Sequence, residues 1–478
     1  MSDKNVDTPT LTEPRSRRRF MVDLGCAALG TTTLFSSLAH LGASSAAAAS
    51  TLDNGLVTTK ANDYRALVCI LLAGGNDSFN MLLPRTESEY AAYALSRGDL
   101  ALPRNSLLPL QGAQGGRTFA VHPGMPEVQK LYNDGNLAFI SNVGTLVERL
   151  NLTQFNNGSR RLPLGLFSHA DQIDQWQTAM PDRRSATGWG GRLSDVLESL
   201  NNDQRISMNI SIAGTNVFQT GEQTVEFSLT PSGPVNIEGY GGDDLYDQLK
   251  TSAIDSLMNL NYRNVLESAY GRSVRNAIDG NRFFADALST SQQPSTVFSA
   301  NPLSSSLAMV ARTIAARSTL GHQRQTFFVI LGGWDHHDNT LPQQQIMLPW
   351  VSTALNEFYN ATNEMGVANN VTTFTISDFG RTLTSNGRGS DHGWGGNQIV
   401  MGGAVKGRKI YGDYPELQPG NVLDTGRGRL IPTLSVDEMF AELALWLGAD
   451  PSSLDMVLPN VGRFYNPASG NAPVGFLL

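Results

Sequence analysis

The sequence predicts an α/β fold: a mainly parallel sheet flanked by helices, with an inserted cap-like region. Three observations predict it. Apolar runs at Ala66–Leu72, Leu137–Val143, Thr326–Leu331 and Val371–Ile376 alternate with segments of helical spacing. Runs without polar alternation are those of strands covered on both faces, as in parallel sheets. Three of the runs also end in acidic motifs, at Asp77, Asp335 and Asp378. In open α/β sheets the carboxyl ends of strands share one edge, where sites form.

Taken in order, residues 1–50 read as an export signal rather than fold. Arg17, Arg18, Arg19, Phe20 and Met21 match a twin-arginine signal, and the interrupted apolar stretch Leu24–Leu41 precedes the small residues Ala46–Ala49. This predicts passage through the twin-arginine export machinery to the periplasm or beyond, with no stable membrane insertion after cleavage. Residues 51–62 read as a linker and 63–478 as one α/β domain. Ala66–Leu72 is the first strand, and Gly74 and Gly75 let the chain turn sharply there and present Asp77. A helix is expected over Met125–Asn133, a strand over Leu137–Val143, and a helix over Ala170–Thr178 with Ser168 at its N-cap. Residues 199–300 differ in texture: two strand-like runs and a turn-rich stretch precede helical patterns at Leu245–Asn259 and Val265–Ala287, so this region is read as the insertion. Further helices are expected over Leu307–Ala316 and Ile346–Met365, and Ser435 with Glu438 forms a capping-box signature before Met439–Leu447. The tail reads as irregular.

Composition excludes some functions. The formal net charge is −8, and no basic stripe follows the N-terminus, which argues against a nucleic-acid partner. Beyond the signal the chain holds one cysteine, Cys69, within a strand-like run. It therefore forms no intramolecular disulfide and reads as a small buried hydrophobe.

The densest chemistry lies in Val371–Gly403. A strand-like run delivers Asp378 and Arg381, and a glycine-rich loop carries Asp391 and His392 back towards them. Carboxylates and imidazoles gathered at strand ends suit a divalent metal. The strand ends supply Asp77, Asp335 and Asp378, and the loop supplies His392. The imidazoles favour zinc or manganese over calcium or magnesium. Of His336 and His337, only one can face inward if the backbone is extended there. His122 and His169 are either further ligands or loop hydrogen-bonders, the second being the plainer reading. Arg381 either grips an anionic substrate or pairs with Asp378.

The strings GGNDSFN, HPGM, NLAFISNVGT, SHADQ, GGWDHHDN, SDFGRT, SDHGWGG and GGAVKGRKIYGDYP resemble an exported bacterial family catalogued as domain of unknown function 1501. That family looks like a divergent branch of the alkaline phosphatase and sulfatase superfamily. The resemblance implies an alkaline-phosphatase-like fold, one or two divalent metals at the strand ends, and phosphoryl or sulfuryl transfer. By the resemblance Asp77 and Asp378 match strand-end metal acids, Asp335 with His337 resembles an aspartate–histidine metal pair, and His392 resembles the last metal histidine. Phe379 stands where relatives often carry a histidine. Ser168 falls near the nucleophile's place, with Ser78 as second candidate. The motif of formylglycine sulfatases is absent. The expected substrate is a small anionic ester or a sulfated or phosphorylated glycan. The alternative is a non-catalytic glycan- or protein-binding member of the same fold. A metal-free Ser/His/Asp hydrolase ranks last, since no G-x-S-x-G elbow occurs.

Overall fold

The computed structural model describes residues 64–477; the segments read above as export signal and linker lie outside them. Thirteen strands are described: β1 (Arg65–Ala73), β2 (Leu82–Pro84), β3 (Leu108–Pro109), β4 (Phe119–Val121), β5 (Leu137–Gly144), β6 (Asn209–Ser211), β7 (Phe227–Thr230), β8 (Gly233–Pro234), β9 (Arg324–Gly332), β10 (Val371–Ser377), β11 (Gly396–Met401), β12 (Ile410–Tyr411) and β13 (Leu434–Ser435). The main sheet has the order β12-β5-β11-β10-β1-β9-β6-β7-β8, with β13 also on β5, while β2, β4 and β3 form a small second sheet. Strand β1 lies parallel between β10 and β9. The sheet is mainly parallel, as the unbroken apolar runs predict, but β11 is antiparallel to both of its neighbours.

Register positions the strand ends. Leu72 stands opposite Ser377 on one side and Leu331 on the other, so β1, β10 and β9 finish level. The acidic motifs therefore emerge side by side on one edge. Gly74, at φ +119°, makes this approach possible: a Cβ there would meet the Asp335 backbone nitrogen at 2.5 Å.

Alternate β1 residues feed two cores. Ala66, Val68, Ile70 and Leu72 pack with the helices Pro302–Ala315 and Thr340–Glu364. Leu67, Cys69 and Leu71 pack with Trp176, Trp189 and Phe440 of the helices His169–Thr178, Trp189–Leu197 and Val436–Leu447. Cys69 is buried and free, and burial pushes its thiol pKa well up. The capping box is present: Ser435 accepts from the Asp437 backbone, and the Glu438 carboxylate accepts from the Ser435 N–H at 3.0 Å. Two helices begin earlier than the periodicity suggests, at Pro302 and Thr340. Within 199–300, β6 joins the main sheet beside β9, and the helices Leu245–Met258 and Val265–Thr290 follow. The tail, expected to be irregular, carries short helical turns, among them Pro451–Ser453 and Leu454–Val457, and its end is pinned by Glu442, whose carboxylate accepts from the backbone N–H groups of Val474, Gly475 and Leu477.

Two buried histidines make stability depend on pH. Burial lowers the pKa of His122 and of His322 to about 4. In the unfolded chain both would titrate near ~6.5. Between these values the unfolded state binds protons that the folded state refuses, so stability falls as pH falls. Each contributes a loss of up to ~3 kcal/mol between pH 6.5 and 4. Denaturant titrations of metal-free protein across this range should show the decline, and His322→Gln should flatten it.

Candidate metal centre

Three side chains, Asp335, His169 and His392, converge at the edge formed by β1, β9 and β10, and His337 stands against two of them. Asp335 and His337 follow β9; His392 sits on the loop between β10 and β11; His169 opens the helix His169–Thr178. Ligand-capable atoms of His169, Asp335 and His392 all lie within 4.8 Å of one another. The Asp335 Oδ1 atom is 3.4 Å from His169 Nε2, 3.4 Å from His392 Nε2 and 3.0 Å from His337 Nε2. His337 Nε2 and His392 Nε2 stand 2.9 Å apart. Ligands ~2.0–2.2 Å from one zinc-sized ion would sit roughly 3.3 Å apart, so the spacing suits a shared ion.

The outer nitrogens decide the tautomers. His169 Nδ1 is 2.6 Å from the Asp378 carboxylate, His337 Nδ1 is 3.0 Å from Asp391, and His392 Nδ1 is 2.7 Å from the Phe167 carbonyl. Each partner can only accept, so each Nδ1 donates to it and Nε2 is the nitrogen that faces the cluster. This carboxylate or carbonyl support behind an imidazole is the usual outer shell of a metal site. His169 Nε2 is buried without a hydrogen-bond partner, an orphaned polar atom that an ion would satisfy. The donor set, two imidazoles and a carboxylate with a third imidazole beside them, fits zinc or manganese.

Electrostatics keep the ligands in binding form. Burial raises the Asp335 pKa, but the Arg381 hydrogen bond and charge outweigh it, and the net shift is downward. The His392 pKa is lowered: burial and the Arg381 charge outweigh the Phe167 carbonyl, which favours the protonated ring. Phe379 packs against two of the rings, at centroid distances of 4.8 Å to His169 and 4.5 Å to His392. Phe167 takes φ +73°, a left-handed conformation that costs an L-residue of order 1 kcal/mol or more. Its carbonyl is thereby aimed at His392. The side chains of Asp335 and His337 are 47% and 45% exposed, so the cluster is open to solvent.

A family model described as a protein of unknown function (DUF1501) matches residues 64–458. The chain belongs to this family. No curated protein matches it by sequence. Among solved structures, this DUF1501 chain is similar to the C-terminal periplasmic domain of EcEptC from Escherichia coli, with 12% identity and a TM-score of 0.29 over 88% of this chain and 95% of that one. It is similar to Ps i-CgsB at 11% identity and TM-score 0.28, over 85% and 78% of the two chains. It is also similar to BT1596, a 2-O GAG sulfatase, at 9% identity and TM-score 0.25, over 73% and 66%. Likeness this slight bears on neither substrate nor chemistry, which the site itself must supply.

The sequence-predicted residues of this DUF1501 protein fall into different places. Asp335, His337 and His392 meet in the cluster. Asp378 stands one step back, fully buried, accepting from the Gly74 N–H at 2.9 Å and from His169. Asp77 is elsewhere: it is buried against the Arg97 guanidinium, with the Ser390 hydroxyl at 3.3 Å. Arg381 pairs with Asp335 rather than Asp378. It is buried, donating to the carbonyls of Gly75 at 2.8 Å, Ser390 at 3.1 Å, Trp334 at 3.2 Å and Gly74, so its donors are committed to backbone. Ser78 is buried, with its hydroxyl accepting from the Asn397 N–H at 2.8 Å. Ser168 holds the N-cap position, but its side chain makes no capping bond. His337 turns inward, whereas His336 is buried beside Trp334.

His169 is the group that the plainer sequence reading passed over. The available signal was its position at a helix start directly after Ser168. Its partner Asp378 is 209 residues distant in the chain, and no local pattern records that pairing.

Proposed function

We propose that this DUF1501 chain is an exported, metal-dependent hydrolase of phosphate or sulfate esters. The observation that supports it is the convergence of Asp335, His169 and His392, with His337 against two of them and every outer imidazole nitrogen tied to an acceptor. Those four residues would hold a divalent ion, zinc or manganese being favoured. When bound, the ion would supply positive charge to an ester's oxygens and acidify a coordinated nucleophile. Asp378, Asp391 and the Phe167 carbonyl hold the three rings in the inward-facing tautomer. Ser168, at the helix N-terminus beside His169 with its hydroxyl uncommitted, is the proposed nucleophile. Arg381 organises the backbone of the three strand ends rather than gripping substrate. Export by the twin-arginine route fits an ion acquired before the folded chain crosses, and among the described residues no helix is long and apolar enough to span a membrane.

The other strand-end acids are already engaged, Asp77 with Arg97 and Asp378 with two donors. One ion per chain is therefore expected. Elemental analysis of protein purified from the periplasm checks this, and two ions per chain would refute the single-site reading. Chromogenic phosphate and sulfate esters, assayed with and without chelator, test the activity.

A second reading has its own support. Four protein ligands can close a tetrahedral sphere, which is the habit of structural metal sites. A non-catalytic glycan- or protein-binding member would then retain the ion, melt lower with chelator, and turn over no ester.

A further inference from the structure

We infer that the helical hairpin of residues 245–290 is a self-association surface, through which two copies of this chain pair about a two-fold axis. The helix Leu245–Met258 buries none of its residues. Leu245, Tyr246, Leu249 and Leu257 on it, and Val265 and Leu266 at the head of the helix Val265–Thr290, are between 51% and 79% exposed. Tyr246, Leu249 and Leu257 recur at helical spacing, so they form a stripe along one side. The opposite side is fastened to its own chain: Asp255 pairs with Arg275 at 3.2 Å and accepts from the Tyr240 hydroxyl at 2.7 Å.

Area and charge both select a second copy as the occupant. Six large side chains this exposed present on the order of 800 Å², beyond the largest patch of most monomers and equal to one side of a standard interface. Charge is divided along the hairpin. Asp243, Asp244 and Asp247 crowd the start of the first helix, while Arg263 stands in the turn between the helices, and Arg272 in the second helix offsets Glu267 in its first turn. Laid antiparallel on its own copy, the stripe meets the same stripe. The acidic start of each hairpin then faces the basic turn of the other. A closed two-fold arrangement leaves no patch over, which an open, head-to-tail contact would. The acidic residues beside the stripe also disfavour an anionic lipid surface.

Sedimentation velocity of the full chain from about 1 to 100 µM tests this. A dimer is expected, with Leu249→Asp/Leu266→Asp shifting it to monomer at unchanged metal content and circular dichroism. Arg263→Glu should weaken the dimer at least tenfold, and Asp243→Arg/Asp244→Arg in the same chain should restore it. A wild type that stays monomeric to 100 µM overturns the proposal. So does a dimer indifferent to the leucine changes, or a monomer whose stripe is instead covered by residues 51–63 or by added lipid vesicles.

Discussion

Asp378→Asn will lower metal affinity about 10–100-fold, although Asp378 lies behind the ligands rather than among them. The carboxylate accepts from two donors, Gly74 N–H and His169 Nδ1–H. An amide has one accepting atom and one donating group, so it cannot serve both. If its NH₂ turns towards the ring, His169 must accept at Nδ1, and the proton moves to Nε2. That tautomer has no lone pair facing the cluster. The expected result is a chelator-sensitive melting transition in the wild type that becomes nearly chelator-insensitive in the variant. Linkage sets the scale: the ion contributes ~2.7 kcal/mol when its free concentration is a hundredfold above the dissociation constant. His169→Ala should lose at least as much affinity. Isothermal titration with zinc or manganese measures both directly. A wild type indifferent to chelation, beside a variant destabilised in either condition, would show instead that Asp378 serves the fold alone.

Asp77→Ala will do the opposite: it will cost ~3–5 kcal/mol of stability and leave the metal stoichiometry unchanged. Asp77 and Arg97 are buried together, at 1% and 0% side-chain exposure. Removing the carboxylate strands a guanidinium away from water, keeping only its bonds to the carbonyls of Thr382 and Leu383. Because both groups leave water when the chain folds, an apolar pair in their place should be less harmful than the single change. Asp77→Leu/Arg97→Met is therefore expected to recover part of the loss. Denaturant midpoints and elemental analysis of the same preparations separate the two roles. Loss of the ion from a folded Asp77→Ala protein would return Asp77 to the ligand set.

These variants mark where local pattern stops being informative. The class of fold was legible because burial on both faces of a strand demands unbroken apolar runs, and β1, β5, β9 and β10 carry them. That acids would share one edge was legible too, since parallel strands expose their carboxyl ends together. Asp335, His337 and His392 could be nominated on that ground, each following or returning to a strand end. The pairing of each strand-end acid was not legible. Asp77, Asp335 and Asp378 look alike in the sequence, each following an apolar run. The difference is who stands opposite: Arg97 for the first, Arg381 and the imidazoles for the second, His169 and a backbone N–H for the third.

The sequence by itself determined the alternating elements, the common edge and the residue types that suit a divalent ion there. Tertiary structure alone decided which of them converge. Register along a strand is a local, repeating constraint that apolar periodicity records. The partner of a buried charge comes from a distant segment, selected by desolvation and by which groups fit the remaining space. His169 meets Asp378 across 209 residues, and Arg97 meets Asp77 from another turn of the chain. A carboxylate taken out of water must find a cation or donors, and only the folded chain specifies which ones are within reach.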